Sequence, residues 1–284
     1  MAVVNTNIGS SVAQAALAKN ERSLNTAMEQ LSTGRSINSA ADNASGLAIS
    51  ARMTSQIRGL DASIANANDA ISMVNTGEGA LDEITEMLQR IRELAVQSGT
   101  GTTHADDRTY IDAEFNALRT EIERVASNTE WNGTKILDGA AGDGSLVTFQ
   151  VGVDGGQTIG VTFSDMSNAG AMASLNGGAV GLNGTTASAG MALAASVITI
   201  TDLAIAAVSS QRADFGATTN RLTHAVDNLT NVKTNAEASR SQILDTDYAA
   251  ATGELARTQI IQQAGTAMLA QANQMPQSVL ALLQ

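Results

Sequence analysis

The sequence predicts a mainly α-helical protein of long antiparallel helices in a nested hairpin plan, with a small β-hairpin insertion. Three observations predict it. Aromatic residues make up 2% of the 284 residues and there is one proline, whereas β-sandwiches and barrels draw on both. Apolar residues recur at helical spacing both before and after residues 130–190. Gly-rich, β-type sequence is confined to about 130–190.

The first predicted helix lies within residues 1–42. Leu17, Leu24 and Leu31 are seven residues apart on it, with Met28 between them. This spacing places one narrow apolar seam along a helix. A polar joint rich in Ser, Asn and Gly follows, because these residues compete with helical backbone hydrogen bonds. We assign 1–42 to the N-terminal part of a terminal coiled-coil domain.

The helical middle begins near residue 43, where Asp42 or Asn43 can cap the first turn. The stretch 76–79 contains two glycines, and the pattern leaves open whether it interrupts the long helix. We assign 43–135 to the N-terminal part of this helical middle. Its apolar residues step by three and four: Ile57, Leu60, Ile64, Ala67, Ile71 and Val74, then Leu81, Ile84, Leu88, Ile91 and Leu94, then Ile111, Phe115, Leu118, Ile122 and Val125.

The insertion is predicted over 136–190, where Gly becomes frequent. Two β-type runs, 146–151 and 158–163, flank Asp154-Gly155-Gly156, which is a hairpin turn signal. Residues 166–190 are rich in Gly, Ala, Ser and Asn, and this composition predicts an exposed loop. The insertion is therefore a short β and loop segment rather than a second large domain.

Helix returns over 191–239, the C-terminal part of the helical middle, and a second polar joint opens the segment 240–284. The last helix carries apolar residues seven positions apart, with one more beside them: Ile261, Met268, Met275 and Leu282, with Val279. Heptad-spaced apolar residues therefore mark both ends of the chain. The nested order of the segments brings the two ends together as parts of one terminal domain.

The net charge is −12 and is unevenly placed. Residues 61–239 hold nine basic and 22 acidic groups, while the two ends are nearly neutral. Nucleic-acid binding needs a basic stripe, so no nucleic-acid partner is expected. No uninterrupted run of about 18 apolar residues occurs, so no membrane-spanning helix and no membrane partner are expected. Near-neutral, apolar-patterned ends instead favour contact with protein.

Residue types that carry catalysis or bind metals are scarce. There is no Cys, and His104 and His224 have no partners at metal-ligand spacing. Carboxylate pairs such as Asp82-Glu83 lie in the acidic middle, where solvated charge is the simplest interpretation. We therefore expect no enzyme activity, no catalytic or cofactor-binding residues, no metal site and no cofactor.

The candidate functional feature is a polymerisation seam on the terminal helices. A coiled coil within one chain, a self-contained stalk, is the alternative. Two helices packed only on each other would leave flanking side chains such as Val12, Ile260 and Leu269 partly exposed to solvent. Full burial of such a side chain stabilises by about 1.5–3 kcal/mol. We therefore favour polymerisation, with ends that order when neighbours cover them. The seam comprises Leu17, Leu24, Met28, Leu31, Ile261, Met268, Met275, Val279 and Leu282.

Several sequence blocks together carry a family resemblance. They are residues 2–7, 31–49, 56–60, 66–72, 88–98, 238–243, 262–268 and 278–280. In this order they resemble bacterial flagellin, the subunit of the flagellar filament, in a short form with a reduced variable region. The resemblance does not cover about 140–190.

The resemblance implies how the chain is used. In flagellins the terminal segments, here 1–42 and 240–284, pair as coaxial inner helices lining a channel. The helical middle forms the outer tube wall, and the variable insertion projects outward. The family is exported unfolded through the flagellar type III apparatus, with a chaperone on its C-terminal helix, and polymerises beneath a cap protein beyond the hook-junction proteins. The chain is thus expected to be a secreted, self-polymerising filament subunit for swimming motility.

A patch on the middle helices is also implied by the resemblance. Some flagellins are recognised there by the animal Toll-like flagellin receptor. The matching positions here are Gln89, Arg90, Glu93, Leu94 and Glu114. These positions also lie where subunits of the family contact each other, so the residues alone do not separate the two roles.

Two other functions compete with the filament subunit. A hook–filament junction protein shares the terminal pattern and would occur in few copies per flagellum. An enzyme with its site in the insertion at 130–190 is the second, although this segment offers no His, no Cys and no convergent set of nucleophiles.

Overall fold

The computed structural model describes residues 7–167, 172–176 and 180–282, and the side chains of residues 176 and 275–282 are outside the description. Within these residues the helices are α1 (Ile8–Thr33), α2 (Ala40–Ser98), α3 (Ala105–Asn128), α4 (Ala173–Asn176), α5 (Ala187–Leu244) and α6 (Tyr248–Leu282). The strands are β1 (Glu130–Trp131), β2 (Thr134–Lys135), β3 (Leu146–Gln150) and β4 (Thr158–Thr162). The predicted mainly α fold with a small hairpin is confirmed.

The chain divides into two compact units. The terminal unit comprises Met1–Ile57 and Thr234–Gln284, and the middle unit comprises Arg58–Lys233. Both of the sequence-based limits, 42/43 and 239/240, fall inside the terminal unit. The assignment of the segments to inner and wall domains stays a prediction.

The core of the middle unit lies between α2, α3 and α5. The central part of α2 contributes Leu81, Ile84, Leu88 and Ile91, α3 contributes Ile111, Phe115 and Ile122, and α5 contributes Val197, Ala204, Val208 and Phe215. Ion pairs link Asp61 to Lys233, Asp82 to Arg212 and Arg92 to Asp202. Residue numbers rise along α2 as those of the partners fall along α5, so these two helices are antiparallel, as predicted.

The glycines at 76–79 do not interrupt α2, which runs through them to Ser98. Gly77 is buried, and a Cβ atom there would lie 3.1 Å from Cε2 of Phe215. The missing side chain therefore lets the Phe215 ring pack close to the helix backbone. Gly in a helix interior costs about 1 kcal/mol relative to Ala, and the packing of this buried ring offsets it.

Asn43 begins the regular part of α2. Its backbone is not helical, with φ −162° and ψ 97°, and its Oδ1 accepts a hydrogen bond from the N–H of Gly46 at 2.9 Å. This is the bond of an N-cap residue to the third helical position. The prediction that Asp42 or Asn43 caps the helix is thus confirmed for Asn43.

Within the described residues, the β-strands form two hairpins. β3 and β4 pair antiparallel from Leu146 opposite Thr162 to Gln150 opposite Thr158, as predicted. β1 and β2 form a second hairpin, which the sequence interpretation missed. Its turn is Asn132-Gly133, with φ 51° and 76°, and positive φ at both positions is what a two-residue type I′ turn requires.

The predicted exposed loop at 166–190 is wrong at its large apolar residues, whereas other residues that the structure describes there, such as Ala173 and Asn183, are exposed. Met166, Met172, Leu175 and Leu182 are almost fully buried in the core of the middle unit. Small residues dominate this segment and suggested a loop, but its few large apolar side chains anchor it because burying them is favourable.

Arg108 fastens the ends of three helices in the middle unit. Its side chain is buried and donates to carbonyl oxygens of Ser98 at 3.1 Å, Thr100 at 3.2 Å and Thr186 at 3.4 Å. Gly190 leaves room for it, since a Cβ there would lie 2.4 Å from Nε of Arg108.

Among the described residues, α5 is long and apolar enough to cross a membrane by length and composition. The expectation of no membrane-spanning helix rested on the absence of an uninterrupted apolar run. Scattered Ser and Thr interrupt the run in α5 without making it polar on average, so α5 passes a test of mean composition. The core helix of a soluble protein passes the same test, and α5 buries Val197, Val208 and Phe215 in the core.

Candidate assembly surface on the terminal helices

The terminal helices α1 and α6 pack against each other along the terminal unit. The side-chain amide of Asn20 donates to the carbonyl oxygen of Thr258 at 2.8 Å, and that of Asn7 donates to the carbonyl oxygen of Ala272 at 2.8 Å. Gly265 lies so close to Leu17 that a Cβ there would be 2.7 Å from Cδ1 of the leucine. The pair is thus joined by polar and small residues.

The terminal unit buries few apolar side chains. In the part of it that the structure describes, the buried apolar residues are Ala27, Ile37, Ile57 and Ala251. The core of the middle unit, by contrast, holds many Leu, Ile, Val, Met and Phe side chains. Since apolar burial is the main favourable term in folding, the terminal unit gains little of it within one chain.

Large apolar side chains of this unit remain in contact with water instead. Val12 is 63% exposed, Ile260 67% and Met268 66%. Between α1 and α6 lies a groove of about 340 Å³. Its lining is mostly apolar and consists of Gly9, Val12, Ala13, Ala16, Leu17, Ile261, Gly265 and Met268. We call this groove, together with Ile260, the terminal apolar surface.

The predicted seam residues fall into three groups. Leu17, Leu24 and Leu31 are half-buried on α1. Met28, Ile261 and Met268 are exposed. Met275, Val279 and Leu282 are on α6 but lie outside the described side chains. Their joint role as a polymerisation seam stays a prediction.

Sequence reasoning missed several buried residues of the two paired helices. Asn20, Ala27, Ala251 and Thr258 are buried there, and none of them stands out in an apolar pattern. Ala27 and Asn20 are seven residues apart on α1, and so are Ala251 and Thr258 on α6. A heptad search that admitted small and polar residues would have found them.

The two polar joints of the chain are hydrogen-bonded to each other within the terminal unit. Gly34 ends α1 with a left-handed φ of 70°, which glycine adopts at little cost. The N–H of Ser36 donates to the carbonyl oxygen of Leu244 at 2.7 Å, and the N–H of Thr246 donates to that of Gly34 at 3.0 Å. These bonds hold the C-terminal end of α1 beside the start of α6.

Asp42 orders the loop between α1 and α2. One of its carboxylate oxygens accepts from the backbone N–H groups of Ser39 at 2.8 Å and Asn38 at 3.1 Å. These bonds favour the charged form and lower the pKa of Asp42, the Ser39 backbone bond being the larger cause.

Four of the five residues predicted for receptor contact are exposed on α2 and α3 of the middle unit. They are Gln89, Arg90, Glu93 and Glu114. Leu94, the fifth, is 1% exposed and belongs to the core, so its side chain offers no contact surface. Among the described residues, no group of three or more metal-ligating side chains could hold a metal ion.

These features define the class of the protein. It is a mainly helical protein with a well-packed middle unit and an apolar surface left open on paired terminal helices.

Comparison with known proteins agrees with this class and names the family. The model of the bacterial flagellin N-terminal helical region matches residues 4–141, and that of the bacterial flagellin C-terminal helical region matches residues 198–283. The chain belongs to the bacterial flagellin family. It is a structural subunit of the flagellar filament, an extracellular homopolymer that serves motility.

Individual flagellins are similar over most of the chain. Flagellin A of Vibrio anguillarum is 35% identical, with 99% of each chain covered. That alignment spans 378 positions, so this relative carries residues that the 284-residue chain lacks. Flagellin of Halalkalibacterium halodurans is 43% identical over 257 residues, with 90% of each chain covered.

Solved structures show the same fold. The crystal structure of Bacillus cereus flagellin matches with a TM-score of 0.50 and 33% identity, covering 62% of this chain and 94% of that one. A putative flagellar hook-associated protein from Vibrio parahaemolyticus matches with a TM-score of 0.57 and 16% identity, covering 73% and 99%. At that identity the second match shows the fold alone, and it does not favour the hook–filament junction.

Proposed function

We propose that this flagellin polymerises by burying its terminal apolar surface against the terminal helices of neighbouring subunits. The observation that carries the proposal is the exposure of Val12 and Met268, which line an apolar groove, and of Ile260 on α6, in a unit that has little core of its own. A surface of this kind is a site of protein contact.

The driving force is the removal of these side chains from water. Full burial of one Val, Ile or Met side chain stabilises by about 1.5–3 kcal/mol. Val12, Ile260 and Met268 are each about two-thirds exposed, so a neighbour can still gain most of this free energy. The near-neutral charge of the chain ends allows copies to approach, while the acidic middle keeps the monomer soluble.

The experiment compares Met268→Lys with Met191→Lys. Both methionines are exposed on long helices, but Met191 is on α5 of the middle unit. Purified monomers are seeded with short filament fragments, and polymer is measured by sedimentation and electron microscopy.

We expect Met268→Lys to prevent tube growth, because assembly would bury an unpaired ammonium group, and Met191→Lys to polymerise like the parent chain. Circular dichroism should show equal helix content for both monomers. Normal growth of Met268→Lys, or equal loss in both variants, would contradict the proposed surface.

We also propose, from the resemblance, that the chain is not an enzyme and that it has the partners of other flagellins. The export chaperone would cover α6 before export, and the cap and hook-junction proteins would contact the assembled terminal helices. Deletion of residues 254–284 should abolish chaperone binding in a pull-down and also polymerisation. Retention of both activities by the truncated chain would count against this assignment.

A further inference from the structure

We propose that Asn7 and Asn20 set the register in which α1 and α6 pair. Each donates its side-chain amide to a backbone carbonyl oxygen of α6, Asn20 to Thr258 and Asn7 to Ala272, both at 2.8 Å. The effect on assembly rests on the function proposed above, whereas the register itself can be measured without assembly.

The two bonds require the same alignment of the helices. From Asn7 to Asn20 is 13 residues along α1, and from Thr258 to Ala272 is 14 residues along α6. Both spans are about 20 Å at 1.5 Å per residue. One antiparallel register therefore satisfies both amides to within one residue.

The hydrogen bonds between the two joints fix one end of the helix pair, and along the rest of the interface few other side chains define an alignment. Ala27 and Ala251 are buried and small, and a seam of small side chains lacks the large interlocking groups that define an alignment. Gly265 provides one matched feature, since only a residue without Cβ leaves room for Cδ1 of Leu17.

A shift by one helical turn would move α6 by about 5.4 Å and separate Asn20 from the carbonyl oxygen of Thr258. Asn20 is almost buried, so its amide would then lack its present acceptor away from water, which is unfavourable. A buried Asn that rejects wrong alignments is the device that fixes register in coiled coils.

Disulfide trapping in the full chain measures the register directly, because the chain contains no Cys. The aligned reporter is Ala27→Cys with Ala251→Cys, seven residues from Asn20 and Thr258 in the same direction along the pair. The shifted reporters are Ala27→Cys with Leu255→Cys, and Leu24→Cys with Ala251→Cys. Each pair is oxidised under identical conditions in monomer and in seeded polymer.

The parent chain should form mostly the aligned disulfide. In the double variant Asn7→Leu and Asn20→Leu, the aligned disulfide should fall at least about threefold while a shifted one rises, since Leu does not prefer one alignment. Asn25→Leu is the matched control, because Asn25 is an exposed asparagine of the same helix, and it should leave the pattern unchanged.

Two results would overturn the proposal. One is an unchanged disulfide pattern in the double variant. The other is loss of all three disulfides together with helix content, which would show that the asparagines act on stability alone. If the register shifts in the monomer and yet tubes still grow normally, the register inference stands and assembly does not depend on this register; the polymerisation surface is tested separately by Met268→Lys.

Discussion

The Nε atom of Arg90 lies 2.9 Å from Oε1 of Glu114, and this bond joins α2 to α3 at the surface of the middle unit. Oε2 of Glu93 lies 3.1 Å from Nη1 of the same guanidinium. The two carboxylates, Glu114 more than Glu93, hold the pKa of Arg90 above its ordinary value. Three of the residues predicted for receptor contact thus form one exposed ion-pair cluster.

Arg90→Ala should lower activation of the Toll-like flagellin receptor by about tenfold or more, because arginines at the centre of an interface often dominate its binding energy. Activation of reporter cells by purified monomer is the measurement. Arg124→Ala is the control, since Arg124 is also exposed and paired, with Glu121 on α3. Helix content should not change in either variant, because exposed ion pairs add little stability. Equal activation by both variants would remove Arg90 from the contact.

Phe215→Ala should destabilise the middle unit by about 3–5 kcal/mol, the usual effect of deleting a buried ring. Phe215 is fully buried, packs on Phe163 with ring centroids 5.1 Å apart and fills the space beside Gly77. Leu203→Ala on the exposed side of α5 should change stability by less than about 0.5 kcal/mol. Urea unfolding of both variants, followed by circular dichroism, tests the difference.

Arg108→Met should destabilise the middle unit by about 2–4 kcal/mol, because the carbonyl oxygens of Ser98, Thr100 and Thr186 would lose their donor. The substitution Arg58→Met, at an exposed arginine, is the control and should change the free energy of unfolding very little. A small effect at Arg108 would mean that the gain from removing a buried charge offsets the lost hydrogen bonds.

Protonation of Asp42 should loosen the loop between α1 and α2. Its folded pKa is lowered, chiefly by the backbone N–H of Ser39. The carboxylate therefore contributes stability that is present above the ordinary Asp pKa and is lost as pH falls through the lowered value. The protection factors of the Ser39 and Asn38 amides, which compare their exchange with that of free amides at the same pH, should fall in that acid range, and Asp42→Asn should show lower protection already at neutral pH. A flat profile in the parent chain would refute the role of Asp42.

Limited trypsin digestion of the monomer should remove about residues 1–40 and 245–284 first, since few apolar contacts hold them. Cleavage after Lys19, Arg22 and Arg257, all exposed, is the readout by mass spectrometry. Assembled tubes should resist at the same bonds. Equal resistance of monomer and polymer would show that the terminal helices are already stably folded in a single chain.

Helical spacing was sufficient to predict the core of the middle unit. Leu81, Ile84, Leu88 and Ile91 were identified by steps of three and four, and the structure buries all of them, because only one face of a helix can turn to a core. The β3–β4 hairpin was predicted from two β-type runs that flank a Gly-rich turn, which is also a local pattern.

One error was an overlooked local signal, and the others came from residues whose role depends on tertiary partners. The Asn132-Gly133 turn signal was present in the sequence but was overlooked. Met172 and Leu182 are single apolar residues without a period, so only the fold shows that they are buried. Asn20 is a polar residue outside the apolar pattern, and its burial depends on an acceptor on the distant α6.

The difference in interior between the two units has a calorimetric consequence. The described part of the terminal unit buries four small or medium apolar side chains. The increase in heat capacity when this unit unfolds should therefore be small, and its melting temperature should be well below that of the middle unit. Neighbouring copies bind only the folded ends. Assembly should therefore raise the melting temperature of the terminal unit and leave that of the middle unit unchanged. Assembly into the filament would then stabilise the terminal helices against thermal unfolding.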